Sequence, residues 1–239
     1  MTVLLHRPQH DATAPLNEVG FRLALSDLDP EALSAAVPPT DLSTRRARQT
    51  RIFQIGFNKC GTGSLYRFFQ RAGITATRYN RGQLADTLHR NIEEGRKPLA
   101  GAFDRYVALT DIHQLTRARV IEGISYFRQL HAYYPSAYFI LNTRDKEGWL
   151  RARLAHGDGA YARRYARALK LANEAAVVEH WSQDWDRHHQ DVVDHFARHT
   201  GQLLVYDIKS GDPQALVDFL APDFLTRASD LRHETESLD

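Results

Sequence analysis

A single cysteine, Cys60, occurs in the 239 residues. No disulfide can form within the chain, and a reducing, cytoplasmic setting is expected. An excess of either charge is also lacking: 31 Lys and Arg stand against 29 Asp and Glu, a formal net charge of +2. So small a charge argues against bulk attraction to nucleic acid, and any anion binding must be local. No apolar run approaches the roughly 20 residues that a bilayer span needs. The opening "MTVLLHRPQHDATAPLNEVG" has no charged start followed by a long apolar stretch, so neither a membrane span nor a signal peptide is expected. Internal repeats and low-complexity tracts are missing too.

What is present is an ordinary globular composition, 43% hydrophobic and 25% charged. Residues 1–50 read as an N-terminal arm or extension, with prolines, small polar residues, one short helix at "DPEALSAAV" and a solvated basic run, "RRAR", at 45–48. Residues 51–239 read as one domain in which strands alternate with helices. Strands are expected at "RIFQIG", "ITAT", "YVALTD", "AYFILNT" and "QLLVYDI". Helices are expected at "SLYRFFQRAG", "RGQLADTLHRNIEEG", "GISYFRQLHAYYP", "EGWLRARLAHG", the long stretch from Ala160 to His199, and "DPQALVDFL". That alternation predicts an α/β fold with a central parallel sheet flanked by helices. Ligands of such sheets lie beyond the carboxyl ends of the strands, where Gly56, Asp111, Arg144 and Asp207 all fall.

The first of these strand ends runs into "GFNKCGTGSL". Gly56, Gly61 and Gly63 permit a tight turn, Thr62 and Ser64 add hydroxyls at a helix N-terminus, and Lys59 adds a charge. Such a loop suits a phosphate or sulfate group. On spacing alone, an ordinary glycine turn remains the alternative. An ATP-type loop carries its lysine after the second glycine, where this chain has Thr62.

The loop resembles the 5′-phosphosulfate loop of the sulfotransferase superfamily, K-x-G-T-T-S-L, through Lys59, Gly61, Thr62, Ser64 and Leu65; Gly63 stands where a second threonine is usual. "YPSAYFILNTRDKEGWLRAR" resembles the same family's 3′-phosphate segment through Tyr134, Pro135, Ala137, Phe139, Ile140, Leu141, Arg144, Asp145 and Trp149. Lys146 replaces a proline there, and Ala152 replaces the phosphate-binding serine. The resemblance implies a three-layer P-loop-type fold and sulfuryl transfer from 3′-phosphoadenosine 5′-phosphosulfate (PAPS), without a metal, to a hydroxyl or amine of a small-molecule or carbohydrate acceptor. It implies donor contacts from Lys59, Cys60, Gly61, Thr62, Gly63, Ser64, Leu65 and Arg144, and from Arg232 in the C-terminal "LRHETES". Lys59 would steady the leaving group. An ATP-dependent phosphotransferase and a catalytically weak nucleotide-binding protein are the competing readings.

An acceptor-side base is sought in "TDIH", with Asp111 the first candidate and His113 the reserve. Tyr79, Arg81, Arg90, Arg96 and Phe103 are expected near the acceptor. Arg151 and Arg153 are expected to be solvated helix charges. Trp181, Trp185, His189, Val192, Val193 and Phe196 are expected on one helix face, with His188, His195 and His199 off it, and no zinc set is evident by spacing. The thiol of Cys60 is expected to fill the loop without chemistry of its own. The oligomeric state is not assigned.

Overall fold

The computed structural model describes residues 50–232. The N-terminal arm, its helix at 29–37 and basic run, and the C-terminal His233 lie outside the described residues.

Five strands form one parallel sheet: β1 (Ile52–Gln54), β2 (Ala76–Arg78), β3 (Ala108–Thr110), β6 (Tyr138–Thr143) and β7 (Leu203–Asp207). Their order is β2-β3-β1-β6-β7, with Phe53 opposite Leu109 on one side and Phe139 on the other. Side chains alternate across a strand, so β1 and β6 serve two cores. Ile52, Tyr138 and Ile140 pack with Leu65, Phe68 and Phe69 of helix α1 (Thr62–Arg71) and Leu216 and Leu220 of α7 (Pro213–Leu220). Phe53, Phe139 and Leu141 face the opposite way, toward α2 (Gln83–Glu93), α3 (Phe127–Tyr133), α4 (Lys146–Ala155), α5 (Ala160–Leu169) and α6 (Glu174–Phe196). The result is the expected three-layer arrangement, with β1 covered on both faces.

Three features depart from expectation. The helical stretch 160–199 is two helices: Lys170 adopts a left-handed conformation (φ 57°) that ends α5, and the Asn173 side chain caps α6 by accepting from Ala176 N. A two-stranded antiparallel hairpin, β4 (His113–Leu115) with β5 (Val120–Glu122), follows β3. Its turn is closed by the Thr116 hydroxyl accepting from Ala118 N and Arg119 N. On α6 the buried face is Val177, Trp181, Trp185, His188, Val192 and Phe196, while Val193 is exposed. His188 therefore faces the core, and its Nε2 donates to the Ile55 carbonyl at 2.7 Å. No helix among the described residues is long and apolar enough to cross a membrane.

Candidate active site

Helix α1 begins where β1 ends. Gly61 is its N-cap, with φ 73°, and a side chain there would overlap Ile208. The first turn, Thr62, Gly63 and Ser64, is buried and has no acidic residue. The opening N–H groups of a helix have no intrahelical acceptor and carry the positive end of its dipole, so this turn is built to meet an anion.

A buried amide network holds the loop. Asn142 of β6 accepts from Gly56 N at 3.0 Å and donates to the Cys60 carbonyl at 2.7 Å. Gln54 of β1 donates to Asn142 Oδ1 and accepts from Asp111 N at 2.7 Å. These two amides tie the ends of three strands to one loop. Arg144, just past β6, donates from Nη1 to the Lys59 carbonyl at 3.3 Å. Its Nε is buried without a hydrogen-bond partner, 3.7 Å from Asp145 Oδ1. Lys59 (φ 66°) and Asp111 (φ 57°) both adopt left-handed backbone conformations. Such strain outside glycine concentrates at functional sites.

From the helix N-terminus a chain of polar groups leads outward. A Cβ on Gly63 would lie 3.2 Å from Arg78 Nη1, so the glycine leaves room for a guanidinium over the first turn. Arg78 Nε donates to Asp111 Oδ2 at 3.3 Å, and His113 Nδ1 stands 3.2 Å from Asp111 Oδ1. The His113 ring stacks on Tyr79, with centroids 4.8 Å apart. Burial pushes the Asp111 carboxyl up, but His113 and Arg78 outweigh it and hold the group below its ordinary value.

The sequence profile of the sulfotransferase domain family matches residues 51–202, from the start of β1 to the threshold of β7. The chain belongs to the sulfotransferase domain family. No curated protein matches the chain. Membership makes it a transferase of sulfuryl groups, and the five-stranded parallel sheet between helices accords with the family's P-loop-type fold. Enzymes of this family in general draw on PAPS as donor.

Measured against that family's pattern, the loop residues 59–65, Arg144, Asp111 and His113 gather at one end of the sheet. Arg232 does not join them. The segment leading to it packs at the far end of α1, where Arg71 Nη1 donates to the Asp230 carbonyl at 3.0 Å, and Arg232 itself is exposed. Cys60 is fully buried, and burial pushes its thiol up to about 12 despite the pull of Arg144 and Arg153, so it acts by size alone.

Two further expectations are corrected. Phe103 is a core residue, 4% exposed, rather than an acceptor contact. Arg153 is wholly buried, whereas Arg151 is exposed as expected. Arg153 donates to Asn58 Oδ1 at 2.8 Å inside the loop and to Glu122 Oε1 at 2.6 Å on β5. Trp149 Nε1 donates to the Asn58 carbonyl at 3.0 Å and Asn58 Nδ2 donates to the Tyr161 hydroxyl at 3.0 Å. Asn58, Gln54, Asn142 and Arg78 were not singled out from the sequence. Gln54 and Asn142 carried a signal nonetheless, as lone amides in apolar strands.

Proposed function

We propose that this sulfotransferase takes its sulfuryl group from PAPS and passes it to a hydroxyl or amine of a small-molecule or carbohydrate acceptor, with His113 as the base. The donor supplies an activated sulfuryl group. The N–H groups of the first turn of α1 hold its 5′-phosphosulfate, Lys59 stabilises charge on the bridging oxygen as the S–O bond breaks, and Arg144 grips the 3′-phosphate. Arg78 takes the place of the hydroxyl that Gly63 lacks. His113 accepts the acceptor's proton at Nε2 as the new bond to sulfur forms, and Asp111 orients the ring through Nδ1.

The observation that carries this reading is the polar chain from the helix N-terminus through Arg78 and Asp111 to His113. Asp111 is the weaker candidate for the base, because Arg78 donates to one of its oxygens, His113 stands beside the other, and together they hold the carboxyl below its ordinary value. The orphaned Arg144 Nε and the Arg78 guanidinium over Gly63 suit a donor that carries two separate anionic groups. Calorimetry with 3′-phosphoadenosine 5′-phosphate and with ATP tests the donor site. The 3′-phosphorylated nucleotide should bind and ATP should not compete with it. Transfer of radiolabelled sulfate from PAPS across an acceptor panel tests the reaction. Preference for ATP, or no transfer to any hydroxyl or amine, would overturn the reading.

A further inference from the structure

At the opposite end of the strands from the phosphate loop, where β6 begins, three histidines meet. His131 comes from α3, His195 from the last turn of α6, and His199 from the turn that follows, where its N–H donates to the Phe196 carbonyl at 2.8 Å. One ring nitrogen from each lies within 4.8 Å of the others. His131 Nδ1 is 2.9 Å from His195 Nε2, and the His131 and His199 ring centroids are 4.5 Å apart. Two nitrogens on one tetrahedral zinc, each about 2.0–2.1 Å from the metal, stand about 3.3 Å apart. The cluster is thus already near ligand spacing.

The surroundings fix which nitrogen of His131 offers a lone pair. Gln202 Nε2 donates to the Pro135 carbonyl at 2.6 Å, which leaves Gln202 Oε1 as an acceptor 3.1 Å from His131 Nε2. His131 therefore carries its proton on Nε2 and presents a lone pair at Nδ1, toward His195. An outer partner that holds the far N–H of a histidine is the usual second layer of a metal site. Gln202 is itself anchored: its carbonyl accepts from Phe139 N at 2.7 Å as β6 begins.

We propose that His131, His195 and His199 form a binding site for a divalent transition metal, zinc in the first instance, with water in the fourth position, and that the ion clips α3 to the end of α6. The site shares no residue with the transfer machinery, so its role is in holding the fold.

The test uses the untagged full chain, freed of metal with a chelator and titrated with Zn2+ by calorimetry. One ion per chain is expected, together with a rise in thermal midpoint on adding Zn2+. His199→Ala, at an exposed position that spares the core, should abolish stoichiometric binding and the thermal shift. Gln202→Ala should weaken binding by roughly 10–100-fold while keeping the stoichiometry. Cobalt(II) in place of zinc should give the intense visible absorption of a four-coordinate ion. Absence of stoichiometric Zn2+ binding by the wild type would overturn the proposal, as would undiminished binding by a His199→Ala protein with native circular dichroism.

Discussion

Arg153 Nη2 and Glu122 Oε1 are 2.6 Å apart, the arginine wholly buried and the carboxylate mostly so, with the guanidinium carbon 4.9–5.5 Å from the ring centroids of Phe57, Trp149, Tyr161, Tyr165 and Trp181. Burial raises the Glu122 carboxyl, and Arg153 and the Tyr165 hydroxyl reverse that and hold it below its ordinary value. Both groups are charged, and each is the other's main compensation. Arg153→Leu should cost about 3–5 kcal/mol, because it strands a buried carboxylate. Adding Glu122→Gln to it should recover part of the loss. Denaturant unfolding of the two single variants and the double variant checks this, and strict additivity would show that the pair is not coupled.

The same arginine reaches Asn58 inside the phosphate loop, so its loss is felt at the site. Lys59 acts there directly. Lys59→Ala should cut the rate of transfer by two to three decades, or about 3–4 kcal/mol. The affinity for 3′-phosphoadenosine 5′-phosphate should fall much less, since the bridging-oxygen contact strengthens only as the bond breaks. Single-turnover kinetics and calorimetry on one preparation separate the two. Near-normal turnover would remove Lys59 from the chemistry.

Gly63 and Arg78 are predicted to act as a pair. Gly63→Thr brings a Cβ to about the 3.2 Å separation from Arg78 Nη1, tight enough that the guanidinium must move. The variant should therefore lose donor affinity while Arg78 is present. In an Arg78→Ala background the same threonine meets no neighbour and supplies a hydroxyl, so it should restore affinity. Calorimetry on the four proteins closes the cycle, and equal effects of Gly63→Thr in both backgrounds would dissociate the two residues.

The loop was legible in the sequence because its chemistry is local: glycines, hydroxyls and a lysine within ten residues, after an apolar strand. So was the sheet, since "AYFILNT" is apolar on both faces and is buried on both. Arg153 was not legible. Its helix reads as charged and solvated, and its burial depends on Glu122 and Tyr161, which arrive from other elements. The β4–β5 hairpin escaped because its strands have three residues each and its turn uses a threonine hydroxyl in place of Gly or Asn. The face of α6 runs through His188 rather than the expected His189, since the 181-185-188-192-196 series fits the helix as well as one through His189.

That series places His188 where pH should act on stability. Burial pushes it down to about 4, against the upward pull of the Ile55 carbonyl. An unfolded histidine titrates near 6.5. Between these values the unfolded chain binds a proton that the folded chain refuses, so stability falls as pH drops from about 6.5 to about 4. The full fall from this group is about 3 kcal/mol. His131, His189 and His195 are shifted the same way and add to it. His188→Gln, which keeps a donor for Ile55, should make the decline shallower. Urea midpoints at pH 7 and pH 4.5 measure it, and a decline as steep as wild type would show that His188 does not carry the effect.

The base is decided by comparing two variants. His113→Ala should lower transfer by two to four decades, the usual worth of a positioned general base. Asp111→Asn should also be slow, because an amide facing His113 Nδ1 disturbs the ring's orientation and tautomer, as loss of the orienting carboxylate does in a catalytic triad. Rate alone therefore does not separate them; the pH–rate profile does. If His113 takes the proton, the limb that reports ionisation of the base disappears in His113→Ala and persists, at lower amplitude, in Asp111→Asn. If Asp111 takes it, the pattern reverses. The Asp111 variant has a second signature, since Arg78 loses the carboxylate that its Nε meets at 3.3 Å. Affinity for 3′-phosphoadenosine 5′-phosphate should then change in Asp111→Asn and stay at the wild-type value in His113→Ala. A limb that survives in His113→Ala and vanishes in Asp111→Asn would assign the base to Asp111 and leave His113 as the residue that charges and orients it.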